Sequence, residues 1–317
     1  MKTDPACPVC AARSWERIGG RIYRTEDAAR VDDYTKRRLR VLFEIWMPGQ
    51  VAVTLETVLC NNCGFLMCQP RPDEEDLRKK YEFLNTLGDE PGAIAAGEPP
   101  ELRRANELDE LLSPFLAGAA RDVLDFGGGD GRLMMPLVRR GHRCAVLDYT
   151  ATTVPGVRRL GSTLADLKDS ERFDVIVCNQ VLEHLGSPRE VLEQLRGRLR
   201  QHGLLYAEVP MELWEHLPPG RDPVTHVNFF SPKSFRNLLS LAGYSVIKCT
   251  LVYDRRRHAT PVILAWATPS NGRAATLLNA AAEVKRFLRP FPAAILTLGL
   301  QYPGFISSLI QNRSRLR

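Results

Sequence analysis

From residue 122 onward, short apolar runs alternate along the chain with stretches whose apolar positions recur at helical spacing. The predicted strands are "DVLDFG", "RCAVLDYT", "FDVIVCNQV" and "LLYAEVP". The predicted helices between them are "GRLMMPLVRRG", "ATTVPGVRRLG" and "SPREVLEQLRGRLRQHG". Strands separated by such helices form a parallel sheet covered on both faces. The pattern therefore predicts an α/β, doubly wound domain with its ligand site at the carboxyl ends of the strands.

The flanking sequence indicates where this domain begins and ends. Residues 85–100 collect Gly, Pro and acidic residues without periodicity, which is typical of a linker. Beyond the sheet, "SPKSFRNLLSLAGY" predicts a helix capped by Ser231, and "SVIKCTLVYDR" with "TPVILAWATP" predicts an antiparallel pair at the sheet edge. We expect a module over residues 1–84, a central domain over 101–269 and a helical tail over 270–317.

Glycines are concentrated in "VLDFGGGDGRL", directly behind the first predicted strand. Gly127, Gly129 and Gly131 alternate after Asp125, so the strand can turn sharply into a helix N-terminus with no side chain between backbone and ligand. A dinucleotide fingerprint requires GxGxxG, whereas this stretch gives GxGxG. Acidic residues end further strands: Asp148 can accept hydrogen bonds from ribose hydroxyls, and Asp166 is expected to end a further short strand, "STLADL", which lies third along the chain.

The runs "VLDFGGGDG", "VLDYT", "LADL" and "FDVIVCNQVLEHL" together resemble the class I S-adenosylmethionine-dependent methyltransferases, over roughly residues 100–268. The resemblance implies a Rossmann-like, seven-stranded sheet and S-adenosylmethionine as cofactor. It implies that Asp125, Gly127 and Gly129 line the methionine end, Asp148 the ribose and Asp166 the adenine. It further places Asn179 and Gln180 beneath the sulfonium, and Tyr149 and Leu167 in the same binding set.

Five of the eight cysteines fall within the first 68 residues. The pairs Cys7–Cys10 and Cys60–Cys63 have the CxxC spacing of a tetrahedral Zn²⁺ site made of four thiolates, with Cys68 left over. Redox-active or merely buried cysteines are the alternative. The long gap between the pairs is expected to hold a folded insert over residues 24–47, whose basic run "KRRLR" is typical of a solvated helix face.

Two CxxC pairs ahead of this fold resemble the zinc-bearing, zinc-ribbon-like N-terminal module of bacterial methyltransferases that act on sugars and other secondary metabolites. The best known of these are C-methyltransferases of nucleotide-linked deoxysugars. They carry a Glu-His pair before an aromatic-serine stretch, whereas "PVTHVNFFS" has Thr225 in place of the glutamate and keeps His226. Because abstracting a proton from carbon needs a well-oriented base, this departure weighs against carbon methylation.

Two histidines follow predicted strands at the carboxyl edge and are the candidate catalytic residues. His184 lies in "VLEHL", where its alternative role is to orient a helix. His226 follows residues 211–224, a stretch that could close over a substrate, and is the candidate base or substrate clamp. His216, in that stretch, is a weaker candidate.

Charge and hydropathy narrow the classes of partner. The net charge of +6 and the pI near 8.9 fall short of the clustered positive charge of a nucleic-acid binder. An N-terminus without an apolar run, and a late apolar stretch broken by Pro and Gly, predict a cytoplasmic protein without a spanning helix. The tail is expected to pack on the domain; a dimer contact or a helix attracted to anionic lipid is the alternative.

The sequence therefore favours methyl transfer from S-adenosylmethionine to a hydroxyl or amine of a small metabolite, such as a sugar or natural-product intermediate. Carbon methylation of a nucleotide-linked sugar is one alternative, and a non-catalytic zinc-module binding protein on a methyltransferase scaffold is another. A nucleic-acid methyltransferase is disfavoured, because "NQVL" stands where amino-nitrogen methylation of bases uses an "NPPY"-like tetrad.

Overall fold

The computed structural model describes residues 5–87, 100–150, 152–213, 224–252, 261–270 and 276–288. The strands in chain order are β1 (Trp15–Arg24), β2 (Ala52–Cys60), β3 (Leu66–Gln69), β4 (Asp122–Phe126), β5 (Arg143–Leu147), β6 (Val157–Gly161), β7 (Phe173–Asn179), β8 (Leu199–Pro210), β9 (Asn228–Phe229), β10 (Tyr244–Val252) and β11 (Val262–Pro269). The α-helices are α1 (Asp33–Arg40), α2 (Glu74–Thr86), α3 (Pro100–Leu112), α4 (Met135–Arg139), α5 (Pro188–Arg198), α6 (Pro232–Leu241) and α7 (Ala280–Phe287).

The central sheet has seven strands in the order β10-β11-β8-β7-β4-β5-β6. Strands β4 to β8 pair in parallel, and β11 joins β8 antiparallel with β10 at the edge. This confirms the predicted parallel sheet and the predicted antiparallel edge pair. The order of the strands switches at β4: β5 and β6 follow on one side of it, and β7 and β8 follow on the other. A crevice therefore opens at the carboxyl ends of β4 and β7, where such sheets bind ligands.

The prediction of a helix over "ATTVPGVRRLG" is wrong. The structure forms a turn at Pro155–Gly156 and then strand β6, which pairs with β5. Gly156 has φ +86°, a left-handed conformation that an α-helix cannot contain. Asp166 consequently lies on a 3₁₀ turn, Leu164–Asp166, that follows the third strand rather than ending it.

The helices predicted after Ser187 and after Ser231 are both present, as α5 and α6. The predicted helix after Ser187 is shorter than expected, because the chain from Leu199 already belongs to β8. Helix α6 begins as predicted: the Ser231 hydroxyl accepts a hydrogen bond from the Ser234 N–H at 3.2 Å, and Pro232 occupies the first turn.

A second, four-stranded sheet in the order β1-β2-β3-β9 forms the N-terminal part of the molecule. Its last strand, β9, comes from the C-terminal half of the chain and pairs with β3 through Leu66 and Met67. The expected insert is folded, as α1 followed by a π-helical segment, Val41–Trp46, packed with β2. The module predicted over residues 1–84 thus shares a sheet with a strand of the catalytic half.

The apolar core is continuous between the two sheets. One face of the central sheet packs against α5, α6 and the cysteine-bearing loops, so that Phe65 and Phe230 contact edge to face with ring centroids 5.8 Å apart. The opposite face packs against α3 and α4. The described part of the tail, α7, packs on α6, as expected. Most of the predicted linker, residues 214–223 with His216, and residues 289–317 lie outside the described residues.

Within the described ranges, no helix combines the length and the apolar character needed to cross a membrane.

Candidate active site and candidate metal centre

The glycine turn after β4 brings bare backbone to the crevice. Gly127 has φ +72°, and a Cβ built there would lie 2.6 Å from Val181 Cγ2. At Gly128 a Cβ would lie 2.1 Å from Asp125 Oδ2. No other residue type fits either position without movement, because real Cβ atoms do not approach neighbours this closely.

A cavity of about 620 Å³ opens beside this turn at the carboxyl ends of β4, β5 and β7. Five residues of the predicted cofactor set line it: Gly127, Gly129, Asp148, Tyr149 and Gln180. The other four, Asp125, Asp166, Leu167 and Asn179, are not among its described lining residues. The candidate catalytic residue His184 also lines this cavity.

Asp148 ties the glycine turn to the end of β5. Its Oδ2 accepts a hydrogen bond from the Gly129 N–H at 3.0 Å, and its Oδ1 accepts one from the Thr150 N–H at 2.8 Å. Each carboxylate oxygen keeps further lone pairs, so Asp148 can still accept bonds from a ligand in the cavity.

Asp125 lies beneath the turn rather than on the cavity wall. Its side chain is fully buried, and among the described residues neither of its carboxylate oxygens has a hydrogen-bond partner. Burial, reinforced by the nearby charge of Asp148, raises the pKa of Asp125 to about 7. The group therefore supports the turn from behind, and the sequence motif alone did not distinguish that place from the cavity wall.

Asp166 closes its own turn. Its Oδ2 accepts hydrogen bonds from the N–H groups of Ser162 and Thr163, both at 2.8 Å, and these bonds lower the pKa of Asp166. Residues 162–165, which precede it, line the cavity instead, while Leu167 is buried in the core. The Asp166 carboxylate thus caps its own turn through Oδ2, and its predicted contact with adenine stays a prediction.

At the end of β7 a polar network orients Asn179 and Gln180. Gln180 has φ +58° and its Nε2 donates to Glu208 Oε1 at 2.9 Å. Asn179 Oδ1 accepts from Arg104 Nη2, also at 2.9 Å. The network holds Gln180 toward the cavity and turns Asn179 toward α3, so only the first lines the cavity.

His184 and His226 lie side by side, with ring centroids 4.8 Å apart. His184 Nδ1 lies 2.7 Å from the carbonyl oxygen of Thr225, and His226 Nδ1 lies 2.8 Å from Glu212 Oε1. Because a carbonyl or carboxylate oxygen only accepts, each Nδ1 carries a proton, and in the neutral form of each ring Nε2 is the nitrogen with a free lone pair. The two predicted catalytic histidines are therefore brought together.

The histidines differ in their electrostatic surroundings. Burial lowers the pKa of His184, and the charge of Lys80 lowers it further. Burial also lowers the pKa of His226, but the hydrogen bond and the charge of Glu212 outweigh it, so the net shift is upward. Glu183, next to His184, is fully buried, and no described residue hydrogen-bonds to either of its carboxylate oxygens; burial raises its pKa to about 8.

Sequence reasoning missed two contributors to this site. Glu212 supplies the carboxylate that the sequence lacks at position 225, and the stretch after β8 carried no motif that marked it. Helix α2 of the N-terminal part lines the cavity with Glu74 and Tyr81, and the Tyr81 ring stacks on Tyr149 with centroids 5.9 Å apart. Nothing in the periodicity of α2 pointed to this contact.

The segment that carries His226 is held mainly by the N-terminal part. Lys80 Nζ donates to the carbonyl oxygens of Val224 and Thr225 at 2.7 and 3.1 Å. The buried guanidinium of Arg71 donates to the carbonyl oxygens of Gly186 and Val227. These bonds fix the backbone on both sides of the histidine.

The four predicted zinc ligands converge. The Sγ atoms of Cys7 and Cys63 lie 3.6 Å apart, as do those of Cys10 and Cys60, and all four lie within 4.8 Å of one another. A tetrahedral Zn²⁺ with Zn–S bonds of about 2.3 Å requires sulfurs roughly 3.8 Å apart, so the set fits this ion. Hydrogen bonds from Cys63 and Cys7 lower the pKa of Cys60, which favours a thiolate there.

Residues 101–248 match the model of a methyltransferase domain family. The chain is 28% identical over 94 residues to the ubiquinone biosynthesis O-methyltransferase of Rickettsia akari (strain Hartford), which covers 26% of this chain and 38% of that protein. It is 24% identical over 151 residues to the protein of the same name from Actinobacillus pleuropneumoniae serotype 5b, covering 42% and 63% of the two chains. This chain thus spans less than two thirds of each relative.

Solved structures with a similar fold include the 1,6-didemethyltoxoflavin-N1-methyltransferase of Burkholderia thailandensis, which was determined with S-adenosylhomocysteine bound. It is 19% identical, covers 60% of this chain and 84% of that chain, and has a TM-score of 0.44. The glycopeptide N-methyltransferase MtfA is 17% identical, covers 52% and 90%, and has a TM-score of 0.42. The family match covers the glycine turn and strands β4 to β8 of the seven-stranded sheet, so residues 101–248 are similar to a methyltransferase domain.

Proposed function

We propose that this protein transfers a methyl group from S-adenosylmethionine to a hydroxyl group of a small metabolite. The observation that carries the proposal is that one cavity is lined by the glycine turn, by Asp148 and by His184. A cofactor lying along it would bring its sulfonium end toward the paired histidines. The relatives named as O-methyltransferases support oxygen as the accepting atom.

The described residues fit this cofactor. A cradle without side chains at Gly127 and Gly129, and the Asp148 carboxylate at a strand end, suit a methionine group and a ribose, respectively. The backbone of residues 162–165 and the ring of Tyr149 would border the adenine. When bound, S-adenosylmethionine supplies a methyl group already activated on sulfur, so the protein has to align the acceptor and remove its proton.

We assign the acceptor end of the site to His184 and His226. When neutral, both present an Nε2 with a free lone pair, because Thr225 and Glu212 accept hydrogen bonds from the opposite ring nitrogens. Such a nitrogen can hold an acceptor hydroxyl and accept its proton while oxygen attacks the methyl carbon. His226, whose pKa the Glu212 carboxylate raises, is the stronger base of the two.

Carbon methylation of a nucleotide-linked sugar is the second candidate function, and one observation favours it. Position 225 holds threonine instead of the glutamate that the C-methyltransferases carry beside the histidine. Glu212 nevertheless gives His226 a carboxylate partner, with Oε1 2.8 Å from His226 Nδ1. The oriented base that proton abstraction from carbon requires is therefore available. Comparing methylation of phenols with methylation of nucleotide-linked keto sugars distinguishes the two functions.

We also propose that the four converging cysteines hold one structural Zn²⁺. Four thiolates form a closed shell without an open position, so this ion would contribute folding free energy rather than chemistry. One zinc per chain by elemental analysis, and loss of that zinc in Cys60→Ser, are the expected results. A purified, folded protein without zinc or another thiophilic metal would remove this assignment.

The decisive experiment is calorimetric titration of the purified protein with S-adenosylhomocysteine. We expect saturable binding, weakened in Asp148→Ala by at least 1 kcal/mol, the scale of a lost charge-assisted hydrogen bond. Asp169→Ala is the matched control, because that carboxylate is fully exposed and lies outside the cavity. If the folded protein does not bind S-adenosylhomocysteine at millimolar concentration, the result would support a non-catalytic binding protein built on this fold.

A further inference from the structure

We propose that Glu183, His184 and His226 form a second metal site, which binds a divalent transition-metal ion at the acceptor end of the cavity. One oxygen of Glu183 and one ring nitrogen of each histidine lie within 4.8 Å of one another. The site is separate from the four cysteines and differs from them in ligand chemistry.

The hydrogen bonds of the two rings prepare both histidines as ligands. Metal-bound histidines donate their other N–H to a carbonyl or carboxylate oxygen, which fixes the tautomer and aims the free nitrogen. His184 has this arrangement with the Thr225 carbonyl at 2.7 Å, and His226 has it with Glu212 at 2.8 Å. Both Nε2 lone pairs are consequently available at the same place.

The buried carboxylate of Glu183 also indicates a cation at this place. Its side chain is fully buried, and both of its carboxylate oxygens lack a hydrogen-bond partner in the described structure. An unpartnered buried carboxylate is costly, and a cation is one of the few groups that compensates it. Its Oε1 lies 3.8 Å from His184 Nε2, so a small inward movement of the side chains would bring both atoms to one ion.

Two imidazoles and one carboxylate are borderline ligands suited to Zn²⁺, Mn²⁺, Co²⁺ or Fe²⁺. Three protein ligands leave at least one coordination position open, unlike the closed shell of the four cysteines. Glu212 and the Thr225 carbonyl then act as outer partners that orient the ligands.

This inference deepens the proposed function and rests on it only for the role of the ion. An acceptor oxygen that takes the open position loses its proton more easily, because a bound cation stabilises the oxyanion. In the loaded site the two histidines act on the acceptor through the cation, and the hydroxyl proton leaves to water. The substrate class that this site favours is a phenol or a compound with neighbouring oxygen donors.

The test uses the full chain carrying one equivalent of Zn²⁺ at the cysteines, titrated with Mn²⁺ and followed by the electron paramagnetic resonance signal of the free ion. Mn²⁺ is chosen because it prefers carboxylate and imidazole to thiolate. We expect one Mn²⁺ bound per chain, at least tenfold weaker binding in Glu183→Gln and in His184→Ala, and unchanged binding in His202→Asn. His202 is exposed and has φ +65°, which asparagine tolerates.

Titration of the same samples with S-adenosylhomocysteine separates the two proposals. If the cofactor product binds but the zinc-loaded wild type retains no Mn²⁺ or Co²⁺, the metal site is disproved and the methyltransferase proposal stands. Mn²⁺ binding that persists in a folded Glu183→Gln and in a folded His226→Ala also disproves the site. Mn²⁺ binding with no cofactor binding would instead refute the proposed function.

Discussion

The Nδ1 atom of His226 lies 2.8 Å from Oε1 of Glu212, a residue 14 positions earlier in the chain. Glu212 follows the end of β8, so the carboxylate reaches the histidine across the mouth of the crevice. The pair fixes the proton on Nδ1 of His226 and orients its ring beside that of His184, 4.8 Å away between centroids. The carboxylate partner of His226 is thus Glu212, which follows β8, and not the neighbouring residue, which is Thr225.

Replacing Glu212 by Gln tests this relationship. The amide keeps the size but loses the charge, and loss of an orienting partner of this kind costs roughly 10–100-fold in activity. We expect kcat to fall by this amount and the affinity for S-adenosylhomocysteine to stay within twofold, because Glu212 does not line the cofactor cavity. Glu44→Gln, an exposed glutamate on the N-terminal part, is the control, and an unchanged kcat in Glu212→Gln would contradict the role.

The buried carboxyl of Asp125 makes the stability of the protein depend on pH. Its pKa is about 7 in the folded state against an ordinary value of 3.8, so the folded state keeps a proton that the unfolded state has lost. The stabilisation is complete below about pH 4 and disappears as the pH rises through 7. Between pH 5 and pH 8 the wild type should lose roughly 2–3 kcal/mol more than Asp125→Asn, measured by urea unfolding. Parallel pH profiles for the two proteins would show that Asp125 is ionised in the fold.

Two neighbouring glycines should respond differently to alanine. Gly128→Ala places a methyl group 2.1 Å from the Asp125 carboxylate, which cannot move because it is buried. We expect a loss of roughly 3 kcal/mol or more in unfolding free energy, together with loss of cofactor binding. Gly129→Ala meets no atom within 4 Å and carries only the strain of φ +59°, about 1–2 kcal/mol. Equal losses in the two variants would show that the turn relaxes around the new methyl group.

The stacked pair Tyr81–Tyr149 links the N-terminal helix α2 to the cofactor cavity. Truncating Tyr81 to Ala removes one wall of the cavity and should weaken S-adenosylhomocysteine binding by roughly 0.5–1.5 kcal/mol beyond the effect of lost area. Tyr81→Phe keeps the ring and should bind nearly as well as the wild type. Calorimetry of the two variants decides this, and equal weakening would shift the role from the ring to the hydroxyl.

Removing the proposed Zn²⁺ from the four cysteines should also change the position of the candidate catalytic residue His226. The Cys60–Cys63 loop joins β2 to β3, and β3 pairs with β9, which begins two residues after His226. We expect a strong chelator to lower both the midpoint of thermal unfolding and the methyl-transfer rate, with recovery on adding Zn²⁺. A chelated protein that keeps its unfolding midpoint would show that the cysteine cluster does not stabilise this fold.

The sheet, its edge pair and the Ser231 cap could be predicted because each depends on residues close together in sequence. The grouping of the four cysteines followed from spacing alone, since two CxxC knuckles have few other uses. The helix expected at residues 151–161 failed because Gly156 and the pairing with β5 outweighed the apolar spacing. Glu212 and Tyr81 could not be found, because their contacts join parts of the chain whose proximity only the tertiary fold determines.

Strand β9 follows His226 directly, yet it completes a sheet whose other strands come from the first 69 residues. The surroundings of His226, where we propose that the acceptor binds, are thus built from two distant stretches of sequence. Anyone who builds chimaeras to change the acceptor would have to transplant residues 5–87 and 224–229 as one unit. Exchanging either stretch alone would disturb the hydrogen bonds that Lys80 and Arg71 donate to the backbone carbonyl groups of residues 224–227.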